Sequence, residues 1–144
     1  MHKVSINSKL TLPDSEANDL KEDIIDNDQV VNVCPDGCTF IFGGGEVFSH
    51  ADSTGYMWDG DGEREVRIPI TFNTDMKSQP NIFLTINKLD SSQAHNLRYN
   101  ILAEDVSKYG FTIVFKTWSD SRIYSASVSW MVIGSLRADE QCSL

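Results

Sequence analysis

The feature that most constrains this fold is an alternation of apolar and polar side chains with a period of two. It recurs in separate runs at residues 66–72, 82–87, 97–103, 111–116 and 123–133. Successive side chains of a strand point to opposite faces, so each run predicts a half-buried strand. Turn-forming residues separate the runs, as in Ser119-Asp120-Ser121. The pattern predicts an all-β fold: a small, immunoglobulin-like antiparallel β-sandwich of about six strands with an N-terminal extension. Pro69 lies within the first run and cannot donate to a ladder, so that strand is expected at an edge or at a bulge.

The chain before this alternation has a different character. Residues 30–33 and 39–42 resemble two short strands around a tight turn. The three glycines at 43–45 then predict a break. Residues 14–28 are acidic and fit either a short amphipathic helix or a solvated linker. We therefore divide the chain into an N-terminal extension of unknown role (1–42), the sandwich (43–136) and a C-terminal tail (137–144).

Net charge and hydropathy exclude several classes of partner. Twelve Lys and Arg residues stand against 21 Asp and Glu, which gives a formal net charge of -9. Binding to phosphate backbones requires clustered basic residues, so nucleic acid and anionic membrane surfaces are not expected partners. No apolar run approaches the roughly 20 residues of a membrane-spanning helix, so no membrane insertion is expected. No secretory signal is visible, which predicts a cytoplasmic protein or one exported by a non-classical route.

Neither a metal site nor a cofactor is expected. The pair Cys34 and Cys38 lacks a second pair of ligands for zinc, so free thiols or one local disulfide are the expected states. The acidic run at 59–63 places carboxylates at alternate positions, as a calcium loop does. However, Arg64 stands where an EF-hand loop needs glycine, and both flanks resemble strands. An acidic turn is the preferred interpretation.

The residues also argue against an enzyme. The three histidines, His2, His50 and His95, belong to no recognisable catalytic motif. A hydrolase on this scaffold therefore has no supporting motif.

A scattered polar and aromatic set is more informative, because its members lie at strand ends or in loops that can converge at one end of a sandwich. The set comprises Asp61, Arg98, Trp118, Ser119, Asp120 and Tyr124. An ionised Asp accepts hydroxyl protons, Arg donates a fork of N–H groups, and Trp or Tyr offers a flat apolar surface. These are the groups that bind a neutral sugar. On residue types alone, a weak surface ion pair with aromatic caps over the core is the preferred explanation.

Several short motifs occur together in this order: Leu89-Asp90, Asn96-Leu97-Arg98, Gly110-Phe111, Thr117-Trp118-Ser119-Asp120 and Ser129-Trp130. Together they resemble the H-type lectin domain, the family of snail agglutinins and of the carboxy-terminal domains of discoidins, over about residues 45–134. The resemblance implies a β-sandwich that assembles as a homotrimer, sometimes paired into a hexamer. It also implies binding of galactose or N-acetylgalactosamine near the interface between neighbouring subunits.

The resemblance assigns roles to individual residues. The family's sugar-contacting acid corresponds to Asp61, its arginine to Arg98, and its aromatic contacts to Trp118 and Tyr124. Two positions depart from the family. Ser119 replaces a histidine of the snail agglutinin, and Asp120 beside it could supply part of the missing polarity. Asp59 replaces a small residue and would crowd an acetamido group. The preference for N-acetylgalactosamine is therefore left open.

The function expected from these observations is that of a carbohydrate-binding lectin without catalytic activity. It would bind glycans bearing terminal galactose or N-acetylgalactosamine through several sites at once, as cell-adhesion lectins do. Apolar residues on both faces of 98–103 and 111–118 predict that one face of these strands is buried between subunits. The alternative is a structural or adhesion module that trimerises and anchors to a larger assembly through residues 1–42, with a vestigial sugar pocket.

Overall fold

The computed structural model describes residues 29–34, 37–50 and 56–135. Within these residues the chain forms, in order, β1 (Val30–Val33), β2 (Cys38–Ser49), the short helix α1 (Tyr56–Asp59), β3 (Arg64–Thr71), β4 (Asn81–Ser91), β5 (Tyr99–Glu104), β6 (Gly110–Thr117) and β7 (Ile123–Ser135). The strands form two antiparallel sheets with the orders β1-β2-β7-β4 and β3-β6-β5. The predicted antiparallel β-sandwich is confirmed. The helix or linker predicted at 14–28 and the tail at 137–144 lie outside the described residues.

The alternating runs of the sequence correspond to β3 to β7. Strand β3 contains Pro69 and lies at the edge of the smaller sheet, where among the described strands it pairs with β6 alone, so the predicted edge position is confirmed. Helix α1 was not expected, because its four residues are too few to show a helical period. No helix in the described ranges is long and apolar enough to cross a membrane.

The core lies between the two sheets, where their inward faces meet. Ile70, Phe111, Ile113 and Phe115 come from the smaller sheet, and Ile41, Ala126, Val128, Trp130 and Val132 from the larger. Phe111 and Trp130 meet edge to face with ring centroids 5.5 Å apart, a geometry that aromatic pairs favour. The inward residues of each strand are those in phase with the alternation, so the sequence pattern places the core correctly.

The predicted break at the triple glycine is wrong. Gly43, Gly44 and Gly45 lie within β2, which pairs with β7 from Cys38 to Ser49. Gly43 faces Trp130, and a Cβ atom placed on Gly43 would overlap the indole ring. The glycine makes room for the large side chain on the neighbouring strand and does not end its own strand. The proposed boundary between residues 42 and 43 thus falls inside β2, and residues 30–33 and 38–42 are part of the larger sheet.

The turn between β1 and β2 is closed by backbone hydrogen bonds. The N–H of Cys34 donates to the carbonyl of Cys38 at 2.8 Å, and the N–H of Gly37 donates to the carbonyl of Cys34 at 2.9 Å. Cys34 is a free thiol. Cys38, by contrast, is disulfide-bonded, so neither expected state, two free thiols or a local disulfide between Cys34 and Cys38, is the one found.

Candidate functional site

One end of the smaller sheet brings several predicted residues together. The last paired row of this sheet consists of Arg64, Thr117 and Tyr99. Arg98 enters β5 and Trp118 leaves β6 immediately beyond that row. The hydroxyl of Thr117 donates to the carbonyl of Arg98 at 2.6 Å, which fixes the spacing between the two strand ends. Arg98 and Trp118 thus lie at the same end of the same sheet.

The turn that follows β6 is held from within by a buried serine. Ser121 is completely buried. Its hydroxyl accepts a hydrogen bond from the N–H of Arg98 at 2.9 Å and donates to the carbonyl of Asn96 at 2.6 Å. Ser119 in the same turn has a φ of 59°, which is uncommon for a residue with a side chain. The contacts of Ser121 therefore fix the 118–121 turn against the chain that enters β5.

Arg98 and Asp120 form the ion pair at the centre of this end. Nη1 of Arg98 lies 2.5 Å from Oδ1 of Asp120, and the two side chains are 31% and 50% exposed. The hydrogen bond from Arg98 lowers the pKa of Asp120 below its usual value, against a smaller opposing effect of desolvation. Such an exposed pair adds little to stability. It does keep a carboxylate and a guanidinium oriented and accessible to a ligand.

Asp61 joins the same end through a different partner. Its carboxylate lies 3.2 Å from Nη1 of Arg122, and the same guanidinium donates to the carbonyl of Gly60. The N–H of Gly62 donates to the carbonyl of Ser119 at 3.0 Å. The loop that carries Asp61 is therefore bound to the turn that carries Ser119 and Trp118. Arg122 was not among the predicted site residues.

Tyr124 belongs to a neighbouring aromatic group. Its ring meets that of His50 with centroids 5.5 Å apart, and His50 meets Trp58 at 6.3 Å. Trp58 lies in α1, just before the loop of Asp61, and is 36% exposed. No sequence signal indicated the participation of His50 or Trp58, because they are far from Tyr124 in the chain.

Arg64 holds these separate segments in one place, and sequence reasoning missed it. The side chain is only 7% exposed. It donates hydrogen bonds of 2.9–3.2 Å to the backbone carbonyls of Met57, Gly62, Ser119 and Ser121. One guanidinium thus donates hydrogen bonds to helix α1, to the loop that carries Asp61 and to the 118–121 turn. A signal was present: Arg64 is in phase with the inward-facing apolar residues of β3 and is therefore expected to point inward.

A shallow groove of about 330 Å³ extends from this end along the outer face of the smaller sheet. It is lined by Glu63, Arg64, Glu65, Asn100, Lys116, Thr117 and Trp118. Trp118 is 41% exposed and presents an aromatic surface at one end of the groove.

Within residues 29–34, 37–50 and 56–135, no group of three or more His, Cys, Asp or Glu side chains could hold a metal ion. The flank before the acidic run at 59–63 is helix α1 rather than the expected strand.

Sequence comparisons agree with this architecture. The family model of the H-type lectin domain matches residues 67–133, a segment that includes Arg98 and Trp118 and begins after Asp61. "ATP synthase subunits region ORF 7" of Fuscovulum blasticum is 39% identical over 94 residues, covering 65% of this chain and 82% of that protein. A discoidin-1 polypeptide of Dictyostelium discoideum is 29% identical over 73 residues, covering 50% of this chain and 29% of that protein. The chain thus spans less than a third of the discoidin polypeptide that it matches.

A solved structure has the same fold. The native structure of recombinant discoidin II of Dictyostelium discoideum superposes with a TM-score of 0.60 at 17% identity, covering 68% of this chain and 37% of that chain. At this identity the likeness concerns the fold. Together with the family match and the 39% identical relative, it identifies the class of domain: this chain belongs to the H-type lectin domain family, a family of carbohydrate-binding modules.

Proposed function

We propose that this protein is a lectin that binds glycans with terminal galactose or N-acetylgalactosamine. The observation that carries the proposal is the Arg98–Asp120 ion pair, 2.5 Å long and partly exposed, at the same sheet end as the exposed ring of Trp118. This combination supplies charged hydrogen-bonding groups beside an apolar platform. Sugar binding by these groups requires neither a nucleophile nor a metal.

The chemistry of a hexose fits these groups. A carboxylate accepts hydrogen bonds from two hydroxyl groups, and a guanidinium donates to hydroxyl or ring oxygens in a fixed fork. Asp61 provides a second carboxylate and is 74% exposed. The C–H face of galactose packs on Trp118, as apolar surfaces pack on aromatic rings. Ser119 and Asp120 contribute polar atoms at the position where the snail agglutinin has a longer histidine side chain.

Tyr124 completes the proposed site if a neighbouring protomer lies close by. Within one chain its ring contacts His50, and this contact supports its placement in a second aromatic group near α1. In the proposed lectin, a site between protomers combines Tyr124 of one protomer with Arg98 of another. This arrangement accounts for both groups of predicted residues.

The outer face of the larger sheet supports self-association through a second copy of this chain. Phe42, Met131 and Phe83 are direct cross-strand neighbours on this face, and the two phenylalanines are 39% and 43% exposed. Further along, Lys88 and Glu46 form an ion pair of 3.2 Å. A chain with a net charge of -9 associates most easily through a face where charges cancel. We propose a homotrimer, which can pair into a hexamer, with these faces in contact.

Apolar residues of the smaller sheet give less support to an interface. Val114 on its outer side is completely buried within the single chain. Its cross-strand neighbours are Arg67 and Leu102, and Arg67 forms a 2.9 Å ion pair with Glu104. The apolar alternation of β6 is thus explained without a contact between protomers, and the exposed apolar row of the larger sheet is the better candidate.

Multivalent binding is how the proposed assembly would reach useful affinity for a glycan. A single site with millimolar affinity contributes only ~4 kcal/mol. Several sites on one rigid assembly raise the effective concentration at a clustered glycan and can cross-link cell surfaces. Adhesion is therefore the role that we propose for the oligomer.

The proposal is tested by glycan-array binding and calorimetry on wild type, Arg98→Ala and the control Arg67→Ala. Arg67 lies on the same sheet, 41% exposed and in ion pairs of its own. We expect loss of galactose binding in Arg98→Ala, by at least about tenfold for a charged hydrogen-bonding group, and unchanged binding in Arg67→Ala. Retained binding in a folded Arg98→Ala, Asp61→Ala double variant would refute the site.

Native mass measured on the same samples tests the assembly. Phe83→Ser should shift the trimer towards monomer, because it places a polar group in the proposed contact. The control Tyr109→Ser changes an aromatic residue that is 52% exposed in the loop before β6, and should leave the mass unchanged. A native trimer that binds no glycan on a broad array would favour the structural module instead.

A further inference from the structure

The groove on the outer face of the smaller sheet is lined by Trp118 at the sheet end, and Arg98 is not among its lining residues. Its floor and walls come from three strands: Glu65 from β3, Lys116 from β6 and Asn100 from β5. These three residues are cross-strand neighbours, since Glu65 and Asn100 both pair with Lys116. Trp118 lines the groove and leaves β6 at the same sheet end as Arg98, so the groove adjoins the proposed hexose site.

Two polar groups in the groove have no side-chain partner among the described residues. The Glu63 carboxylate and the Asn100 amide are both exposed and make no side-chain hydrogen bond or ion pair there. Lys116 differs, because its amine lies 3.7 Å from Glu65 and 3.9 Å from Glu104. A ligand in the groove can thus bond to Glu63 and Asn100 without breaking an existing contact. An amide that both donates and accepts suits hydroxyl groups of either orientation.

We propose that this groove is a subsite for the second sugar of a glycan whose terminal galactose-type residue occupies the site at Arg98. The inference rests on the proposed lectin function. Trp118 then lies between the two sugars and contacts both. The groove volume of about 330 Å³ is at the lower end of the range for small-molecule sites, about 300–1,000 Å³. It suits one further ring rather than a long oligosaccharide.

The charge of the groove selects the kind of sugar. Glu63 and Glu65 provide two carboxylates, and Arg64 and Lys116 provide two cationic groups. The guanidinium of Arg64 donates to backbone carbonyls and the amine of Lys116 lies near Glu65, so the Glu63 carboxylate is the charged lining group that has no side-chain partner among the described residues. The whole chain adds a net charge of -9. Like charges brought together in a site lower affinity and exclude the wrong ligand. The second sugar is therefore a neutral hexose, and a uronic acid at this position is disfavoured.

Calorimetry on the full chain separates the subsite from the terminal site. The ligands are galactose, the neutral disaccharides lactose and melibiose (β- and α-linked galactose), and galactose linked to glucuronic acid. We expect the better neutral disaccharide to bind about threefold to tenfold more tightly than galactose, the effect of one net hydrogen bond. Asn100→Ala should remove this gain and leave galactose affinity unchanged. The control Asn73→Ala, an exposed asparagine beyond the other end of β3, should change neither.

The acidic disaccharide provides a second readout. It should bind more weakly than the neutral disaccharides to wild type, and Glu63→Gln should reduce that difference. Equal affinity for galactose and both neutral disaccharides, or an Asn100→Ala variant that loses affinity for all sugars equally, would overturn the subsite while the lectin function stands. A folded wild type that binds none of these sugars or N-acetylgalactosamine would overturn the lectin function itself.

Discussion

Replacing the buried Arg64 by methionine should destabilise the protein and disorganise its binding end. Methionine has a similar length but no donor, so the carbonyls of Met57, Gly62, Ser119 and Ser121 lose hydrogen bonds of 2.9–3.2 Å. A hydrogen bond from a charged donor contributes about 1.5–3 kcal/mol, which gives roughly 6–12 kcal/mol before the cost of burying the guanidinium is counted. That cost is several kcal/mol. The expected loss in the free energy of unfolding is therefore about 3–5 kcal/mol.

Urea denaturation followed by tryptophan fluorescence measures this loss. Arg67→Met is the matched control, because Arg67 is on the same strand but 41% exposed and paired only at the surface. Its stability should be within error of wild type. Arg64→Lys keeps the charge but cannot reach carbonyls in several directions, so it should fall between wild type and Arg64→Met. Protein concentration is held constant so that self-association does not alter the comparison.

Sugar affinity supplies the second measurement on these variants. Arg64 contacts the backbone of the loop and turn that carry Asp61 and Ser119, so Arg64→Lys should weaken galactose binding even where the protein remains folded. The reasoning is refuted if Arg64→Met loses less than about 1 kcal/mol of stability, the value of a single ordinary hydrogen bond. It is equally refuted if Arg64→Lys binds galactose as wild type does while losing stability.

Two further predictions concern the ion pair and the core. In Arg98→Gln the charged hydrogen bond that lowers the pKa of Asp120 is lost, so its carboxyl titration, followed by NMR, should move upward towards the usual value; an unchanged midpoint would contradict the proposed cause. Because that pKa is lowered, the ion pair should persist from neutral pH down through the usual Asp range and be lost only at lower pH. Gly43→Ala would press a Cβ atom into the ring of Trp130 and should cost about 1–3 kcal/mol in urea denaturation. Gly134→Ala should cost less, because its nearest obstacle is a flexible methionine sulfur, and an equal cost for both would count against this explanation.

The strands could be predicted from sequence because their information is local. A period of two decides which residues face the core, and the edge position of Pro69 follows from its missing N–H. The triple glycine could not be interpreted in the same way. A glycine in a strand either breaks it or makes room for a neighbour, and the neighbour of Gly43 is Trp130, on the last strand of the chain. Only the register between β2 and β7 distinguishes the two cases.

The candidate site was predictable in part for a similar reason. Residue chemistry and the family motifs indicated Arg98 and Asp120, and the structure brings these two together. Arg122, the partner of Asp61, carried no motif and was missed. Sequence reasoning looks for side chains that can bind a ligand. It does not readily find those that bind the backbone and hold the others in position.

The two kinds of interaction at this end of the sandwich have different consequences. Buried groups, Arg64 and Ser121, bind backbone atoms and determine where the loops lie. Exposed groups, Arg98 and Asp120, bind each other weakly and remain accessible. A substitution among the exposed groups is therefore expected to change ligand contacts at little cost in stability. Ser119 is such a position, because the buried Arg64 holds its carbonyl and not its side chain. On the proposed function, this separation would allow the fold to keep its loops fixed while the exposed side chains that contact a sugar change.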